Sequence, residues 1–337
     1  MSTLAAGKAH SVSGRTIGCV AVLSLLNVAG ARAQEAPTIR STVNLVTVSF
    51  TARDARGKLV ENLKKEDVVI QEDGVAQKIA HFAKSTDVPL TLGLIVDASG
   101  SQSHFSEKHE KDLEVFLRDA LGPNDRAFLV GFGNHLRLVS DLHPNGEQVQ
   151  SAPDVVAGQM LEHLKRYEKK PDEFAEIGPK EERELGTAFY DAIFYSISEK
   201  LGKEDGRRRA LLIFSDGEDN SSSHDMMTTI EAAQTANVLV YTIRYTKPMK
   251  HGELSARNKY GIRVMDRIAK ETGASNIDAR EMQPTEYFRR IAEELRTSYE
   301  IGYYPSEPMK DESFRKIVIK PMEEGVRIRA KTGYFAK

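Results

Sequence analysis

The sequence predicts an α/β protein: a doubly wound, mostly parallel sheet inserted into a discontinuous β-sandwich built from the N- and C-terminal segments. Three observations predict it. Both ends of the chain alternate apolar and polar residues, the period of half-buried strands. The middle alternates continuous apolar runs with amphipathic segments, the βαβα order of a parallel sheet covered on both faces. Neither end has strands enough for a stable sheet pair alone, so the two ends are expected to meet.

Taken in order, residues 1–33 read as a secretory leader. They contain no acid. Lys8 and Arg15 precede the apolar run "IGCVAVLSLL", and "ARA" at Ala31–Ala33 offers a cleavage site. The run is shorter than the roughly 20 residues a membrane span needs. Export to the periplasm, cell envelope or exterior is therefore expected, with no transmembrane segment after cleavage. Cys19 is the only cysteine, so the mature chain is expected to have no disulfide and no thiol chemistry. Residues 34–89 form the first half of the sandwich. There "TVNLVTVSFTARD" alternates, "RGK" turns, and "DVVIQEDGVAQKIAHF" reads as two strands around Asp73-Gly74.

Residues 90–297 form the α/β unit. "LTLGLIV", "RAFLVGFG", "RALLIF" and "NVLVYTIRY" are its buried strands. In "SEKHEKDLEVFLRDAL" the residues Leu113, Phe116, Leu117 and Ala120 share one helical face. "TAFYDAIFYSISEKL", "HDMMTTIEAAQTA", "YGIRVMDRIAKETG" and "PTEYFRRIAEELRTS" are further helices, the third stopped by Gly273 and the fourth opened by Pro284. Lys165–Glu184 carries 13 charged residues in 20 with little periodicity and reads as a solvated loop or frayed helix. Residues 298–337 return to strands with "YEIGYYP", "FRKIVIKP" and "VRIRAKTGYF". Tyr299, Tyr303, Tyr304 and Tyr334 are expected to lie mostly in the sandwich core.

Charge argues against a nucleic-acid partner. The chain carries −2 overall, and removing Lys8, Arg15 and Arg32 with the leader leaves 44 basic against 49 acidic side chains. The one basic triplet, Arg207–Arg209, abuts a strand and reads as a solvated strand entrance before a phosphate site.

The chemistry-bearing pattern follows the first buried strand. "DASGS" sets Asp97, Ser99 and Ser101 at alternate positions of a turn, where ligands of open α/β sheets bind. Thr187 opens a helix, and Asp216 follows another buried strand in "LLIFSDGEDN". Two carboxylates and three hydroxyls without histidine or cysteine suit a hard cation, Mg²⁺ or Mn²⁺. The local alternatives are serine caps on the following helix and an ordinary Asp-Gly turn.

The D-x-S-x-S, T, D order resembles the metal-ion-dependent adhesion site of von Willebrand factor type A domains. "EDGVAQKIAHF", "FSDGEDNSS", "YEIGYYP" and "KTGYF" further resemble the bacterial, acidobacterial-type VWFA-related proteins, over about Val43 to Lys337. Leu185 departs from the pattern, standing where such domains often have a second glycine. The resemblance implies that Ser99 and Ser101 bind the ion directly, Thr187 directly or through water, and Asp97 and Asp216 mostly through water. It also implies a protein partner whose Asp or Glu completes the coordination.

Weaker signals remain. Asp191, Glu218 and Asp219 suit loop acids and a helix cap better than a second metal site. "GFGNHL" lacks the third glycine of a dinucleotide fingerprint. No G-x-S-x-G elbow is present, and His104, His109, His135, His143 and His224 show no metalloprotease spacing. His224 reads as a loop histidine that could reach the rim of the site. The expectation is a non-enzymatic binding module, with a metal-stabilised scaffold as the alternative and a metal-dependent hydrolase as a distant third.

Overall fold

The structure is a computed structural model that describes residues 45–86, 88–122, 124–141, 153–178, 186–248, 253–307 and 313–336. These belong to one unit, Val43–Lys337. The leader expected over residues 1–33, with Cys19, lies outside the described residues, as do Leu185 and His143.

The chain begins with four strands: β1 (Val46–Arg53), β2 (Val68–Glu72), β3 (Val75–Ala76) and β4 (Ile79–Thr86). The turn at Asp73-Gly74 joins β2 to β3 as expected, but "VAQKIAHF" is not one strand. It breaks at Gln77-Lys78, so that β3 pairs with β2 while β4 joins the other sheet.

Next come β5 (Leu90–Asp97), α1 (Ser106–Ala120), β6 (Arg126–Phe132), β7 (Arg137–Asp141), α2 (Pro153–Lys169) and β8 (Ala175–Glu176). They are followed by α3 (Phe189–Tyr195), β9 (Arg208–Ser215), α4 (Met226–Thr235), β10 (Val238–Arg244), α5 (Ala256–Thr272), β11 (Asn276–Asp278) and α6 (Pro284–Arg296). A seven-stranded sheet runs β11-β10-β9-β5-β6-β7-β8, parallel from β11 to β6 and antiparallel at the β7 and β8 edge. The sheet is covered on both faces. Leu92, Leu94 and Val96 of β5 pack with α1, α2 and α6, while Ile95 packs with α3, α4 and α5. Gly93 faces the second core because a Cβ there would sit 2.3 Å from Leu211 and 2.5 Å from Phe128. Gly273 ends α5 at φ 86°, and Pro284 is the first residue of α6, as the sequence indicated.

Helix α2 corrects the reading of Lys165–Glu184. The helix runs through Lys169, and Ala157, Met160, Leu164 and Tyr167 are buried in the sheet core. Their spacing is helical, but the surrounding charges outweigh it. Pro171–Glu173 adds a 3-10 turn, and β8 pairs with β7.

The last strands are β12 (Thr297–Tyr303), β13 (Phe314–Pro321), β14 (Arg327–Ala330) and β15 (Gly333–Phe335). Two further four-stranded sheets result, β14-β1-β12-β4 and β15-β13-β2-β3, each mixing strands from both ends of the chain. "VRIRAKTGYF" therefore also breaks, at Lys331-Thr332, with its halves in different sheets. The two sheets share one core in which Val48, Phe50, Ile70, Tyr299, Ile301 and Tyr303 are at most 2% exposed. Tyr334 is buried there too, while Tyr304 is exposed. The link from α6 to β12 is immediate, Arg296 being followed by Thr297.

Candidate metal centre at the carboxyl edge of the sheet

Strands β5 and β9 lie side by side and end together. β5 is buried throughout and ends at Asp97, which is 2% exposed; β9 ends at Ser215, with Asp216, also 2% exposed, next in the chain. Hydrogen bonds lace the two loops. Ser215 Oγ donates to Asp97 Oδ2 at 2.6 Å and accepts from the Gly217 N–H at 3.0 Å. The Ser99 N–H donates to Asp97 Oδ1 at 2.9 Å. Ser101 Oγ lies 3.2 Å from Ser99 Oγ and donates to Asp216 Oδ2 at 2.9 Å. Gln102 Nε2 donates to the same Oδ2 at 2.8 Å and to the Tyr245 carbonyl at 3.3 Å.

Ser99 and Ser101 cap no helix: Gln102 and Phe105 stand at the caps of the 3-10 turn Ser103–Phe105 and of α1, and neither start has a side-chain cap bond. Asp216 does make an ordinary turn through Oδ1, which accepts from the Glu218 N–H at 3.1 Å. Its other oxygen belongs to the cross-loop lacing. The turn is also fixed from below. Gly217 has φ +78°, and a Cβ on Gly261 of α5 would lie 2.2 Å from the Asp216 carbonyl, so the helix backbone rests directly on the loop.

Thr187 sits on a separate loop that is held to the same edge by the residues after Asp216. Its N–H donates to Asn220 Oδ1 at 2.6 Å, and its carbonyl accepts from the N–H groups of Asn220 and Ser221 at 3.1 and 3.3 Å. Gly186 before it has φ +151° and no room for a Cβ, which would meet Ser221 at 2.6 Å. Asp97, Ser99, Ser101 and Asp216 thus form one hydrogen-bonded set, and Thr187 joins it through the Asp216–Ser221 loop without a hydrogen bond to the other four.

Sequence reasoning did not single out Gln102 and Ser215, which hold the two carboxylates. Adjacency to Ser101 and Asp216 is their only sequence signal. The motif "GFG" also gains a role. Gly133 lets its loop approach the backbone at Ala98 and Ser99, and Gly131 lies under the ring of Tyr167.

The neighbouring acids serve the scaffold. Asp219 caps α3, accepting from the Phe189 N–H at 2.8 Å and from Ser222 Oγ. Asp191 accepts from the N–H groups of Ser223 and His224 and lies 2.8 Å from His224 Nδ1. The His224 ring stacks on Phe194 with centroids 3.7 Å apart.

Electrostatics sets the edge apart. Burial, and secondly the charge of Asp216, push Asp97 up to about 7, against the hydrogen bonds from Ser215 and Ser99. Burial and Asp216 likewise raise Glu218. Among the described residues, no Lys or Arg pairs with Asp97 or Asp216, and Gln102 Oε1 and Ser221 Oγ are buried without partners. No group of three or more His, Cys, Asp or Glu among them is placed to hold a metal. The donor set here is instead two carboxylates and three hydroxyls. Uncompensated negative charge, hard oxygen donors and no soft ligand fit a hard divalent cation.

Fold and site define a class: an open α/β sheet with an oxygen-rich, acidic site at its carboxyl edge. No family model matches the chain, and no curated protein matches it. Solved structures similar to it include von Willebrand factor type A from Catenulispora acidiphila, at 12% identity and TM-score 0.42, covering 88% of this chain and 75% of that one. The manganese-loaded TRAP protein of Plasmodium vivax is 14% identical with TM-score 0.41, covering 75% and 96%. An aerotolerance-related membrane protein of Bacteroides fragilis is 15% identical with TM-score 0.41, covering 61% and 98%. These likenesses are distant, and the functional reading rests on the side chains at the edge.

Proposed function

We propose that this chain is an exported von Willebrand factor type A-like binding protein of the acidobacterial type. It engages a partner protein through a divalent cation, Mg²⁺ or Mn²⁺, held by Asp97, Ser99, Ser101, Thr187 and Asp216. One observation carries the proposal. Two buried carboxylates stand at the ends of neighbouring strands, Asp97 closing β5 and Asp216 following β9, the Ser99–Ser101 turn joins their loops, and no Lys or Arg among the described residues pairs with either. A buried charge pair of one sign needs a counter-charge.

When bound, the cation supplies a positive charge with a coordination position open to an outside Asp or Glu. The chain's own residues prepare that position. Ser215 and the Ser99 N–H fix the rotamer of Asp97, and Gln102 fixes that of Asp216. β5, buried throughout, and β9, buried from Ala210 to Ser215, are paired side by side and hold both loops. The same proposal takes the two four-stranded sheets as a discontinuous β-sandwich carrying the α/β unit. It assigns binding, with no catalytic step: His224, the histidine nearest Asp216 in sequence, is engaged by Asp191 and Phe194.

Isothermal titration of the apo protein with Mn²⁺ should show one saturable site that Asp97→Ala abolishes. Equal titration of both proteins would sink the metal site. A pulldown from the source envelope fraction, run with Mg²⁺ and with EDTA, tests the partner. Capture of one species only with Mg²⁺ is expected. A melting temperature that falls on chelation, with capture unchanged, would mark the metal as a scaffold element.

A further inference from the structure

At the opposite end of the same strands lies a second charged site, with the sign reversed. We propose that the pocket at the amino edge of the central sheet binds a small phosphate-bearing anion through Arg208 and Lys331. The pocket holds about 320 Å³. Arg207, Arg208 and Arg209 line it from the start of β9, Lys331 from the crossing between β14 and β15, and Ser49 from β1. Among the described residues, Glu300 is the one acid that lines it. Strand β9 separates it from Asp216 by seven residue steps, roughly 23 Å at strand spacing, so it stands apart from the metal centre.

Arginines at a solvated strand entrance would extend into water, and these do not. The side chains of Arg207 and Arg209 are only 14% and 18% exposed. Nor does a carboxylate hydrogen-bond to either of the two innermost cations, although the charge of Glu300 acts on Arg208. Arg208 Nη1 donates to the Leu295 carbonyl at 2.8 Å. Lys331 Nζ donates to the Gln234 carbonyl at 3.1 Å and to Asn237 Oδ1. All three partners are neutral. Arg209 reaches Asp205 only at 3.5 Å, and that carboxylate is 99% exposed; Arg207 stands 3.8 Å from Glu204. Burial holds the Lys331 ammonium down to about 8, and it lowers Arg208 against the opposing charge of Glu300, so an anion would favour both charged forms.

The chemistry selects the ligand class. Arg208 and Lys331 have only neutral hydrogen-bond partners, and Glu300 is the one acid among the described lining residues, so a dianion balances the pocket better than a monocarboxylate. Guanidinium forks match the oxygens of phosphate in pairs, and the Ser49 hydroxyl adds a neutral donor. The volume admits more than a bare phosphate, so a phosphorylated small molecule or pyrophosphate fits.

The test is calorimetric titration of the full chain with inorganic pyrophosphate at fixed ionic strength. EDTA is present so that the anion cannot act through the metal centre. One saturable site is expected. Lys331→Met should weaken it at least tenfold. Ser49→Glu, which sets a carboxylate in the pocket from a half-buried strand position, should weaken it as much while circular dichroism stays unchanged. Asp97→Ala should bind pyrophosphate like the wild type. Absence of saturable binding by the wild type, or equal binding by a folded Ser49→Glu variant, overturns the proposal. Succinate binding as tightly as pyrophosphate would overturn the phosphate class.

Discussion

Two buried carboxylate sites in this molecule are built on opposite principles. Glu294 of α6 is 4% exposed and fully matched. It accepts from Arg53 of β1 at 2.9 Å, Arg329 of β14 at 3.0 Å and Tyr241 of β10 at 3.1 Å, tying the α/β sheet to the sheets formed by the chain ends. Asp97 and Asp216 are as deeply buried, yet their partners are hydroxyls, an amide and backbone N–H groups, and each charge works against the other. The first arrangement gives a buried charge opposite charges as partners, so that removing one partner would strand the others. The second buries two carboxylates close together with no cationic partner among the described residues.

If that contrast holds, breaking the matched site costs the most. Glu294→Ala should lower stability by about 3 kcal/mol, since Arg53 and Arg329 lose their counter-charge. Urea unfolding measures this, and a loss below about 1 kcal/mol would place Glu294 with ordinary surface pairs. The unmatched site should instead be stabilised by ligand. Mg²⁺ at a hundredfold excess over its Kd should raise stability by about 2.7 kcal/mol in the wild type and by nothing in Asp97→Ala.

The pH dependence sharpens the difference. The folded protein raises Asp97 to about 7 from an ordinary value of 3.8. Between those values the folded state binds more protons than the unfolded one, so the apo protein loses stability as pH rises from about 4 to about 7. Asp97→Asn should flatten that fall and stabilise the apo protein at pH 7.5 by on the order of 1–2 kcal/mol. Melting curves across pH check it; an unchanged slope would mean that Asp97 is not destabilised. Smallest, Asp219→Ala should cost about 1 kcal/mol as a lost helix cap, with Mn²⁺ affinity nearly unchanged. A large affinity loss there would move Asp219 from the scaffold to the site.

Much of this was legible in the sequence, because the signals are local. The apolar runs that became β5, β6, β9 and β10 are buried over nearly all their length, and such runs need no partner to be recognised. Asp97, Ser99 and Ser101 share one turn, and Asp216 follows a strand. What could not be read depends on the fold. Alternation lapses at Gln77-Lys78 and at Lys331-Thr332, where two polar residues stand together, but such a lapse does not show which sheet the chain joins next. Helix α2 was hidden because its buried stripe is embedded in charges that point to solvent. Gln102 and Ser215 owe their roles to bonds that span more than a hundred residues.

The pairing of the chain ends has a consequence in time. β1 lies between β14 and β12, and β2 pairs with β13, so the strands made first find their neighbours among the strands made last. During synthesis β1 and β2 must wait, edges open, while the whole α/β unit is built between them. Loop closure over such separations is slow, and unpaired edges invite wrong pairing. The α/β unit has all its own strands in one stretch and can form at once. The order of assembly is therefore inside first and frame last, and a ribosome stalled before β12 would present a formed central sheet with β1 and β4 unpaired and β2 paired only with β3.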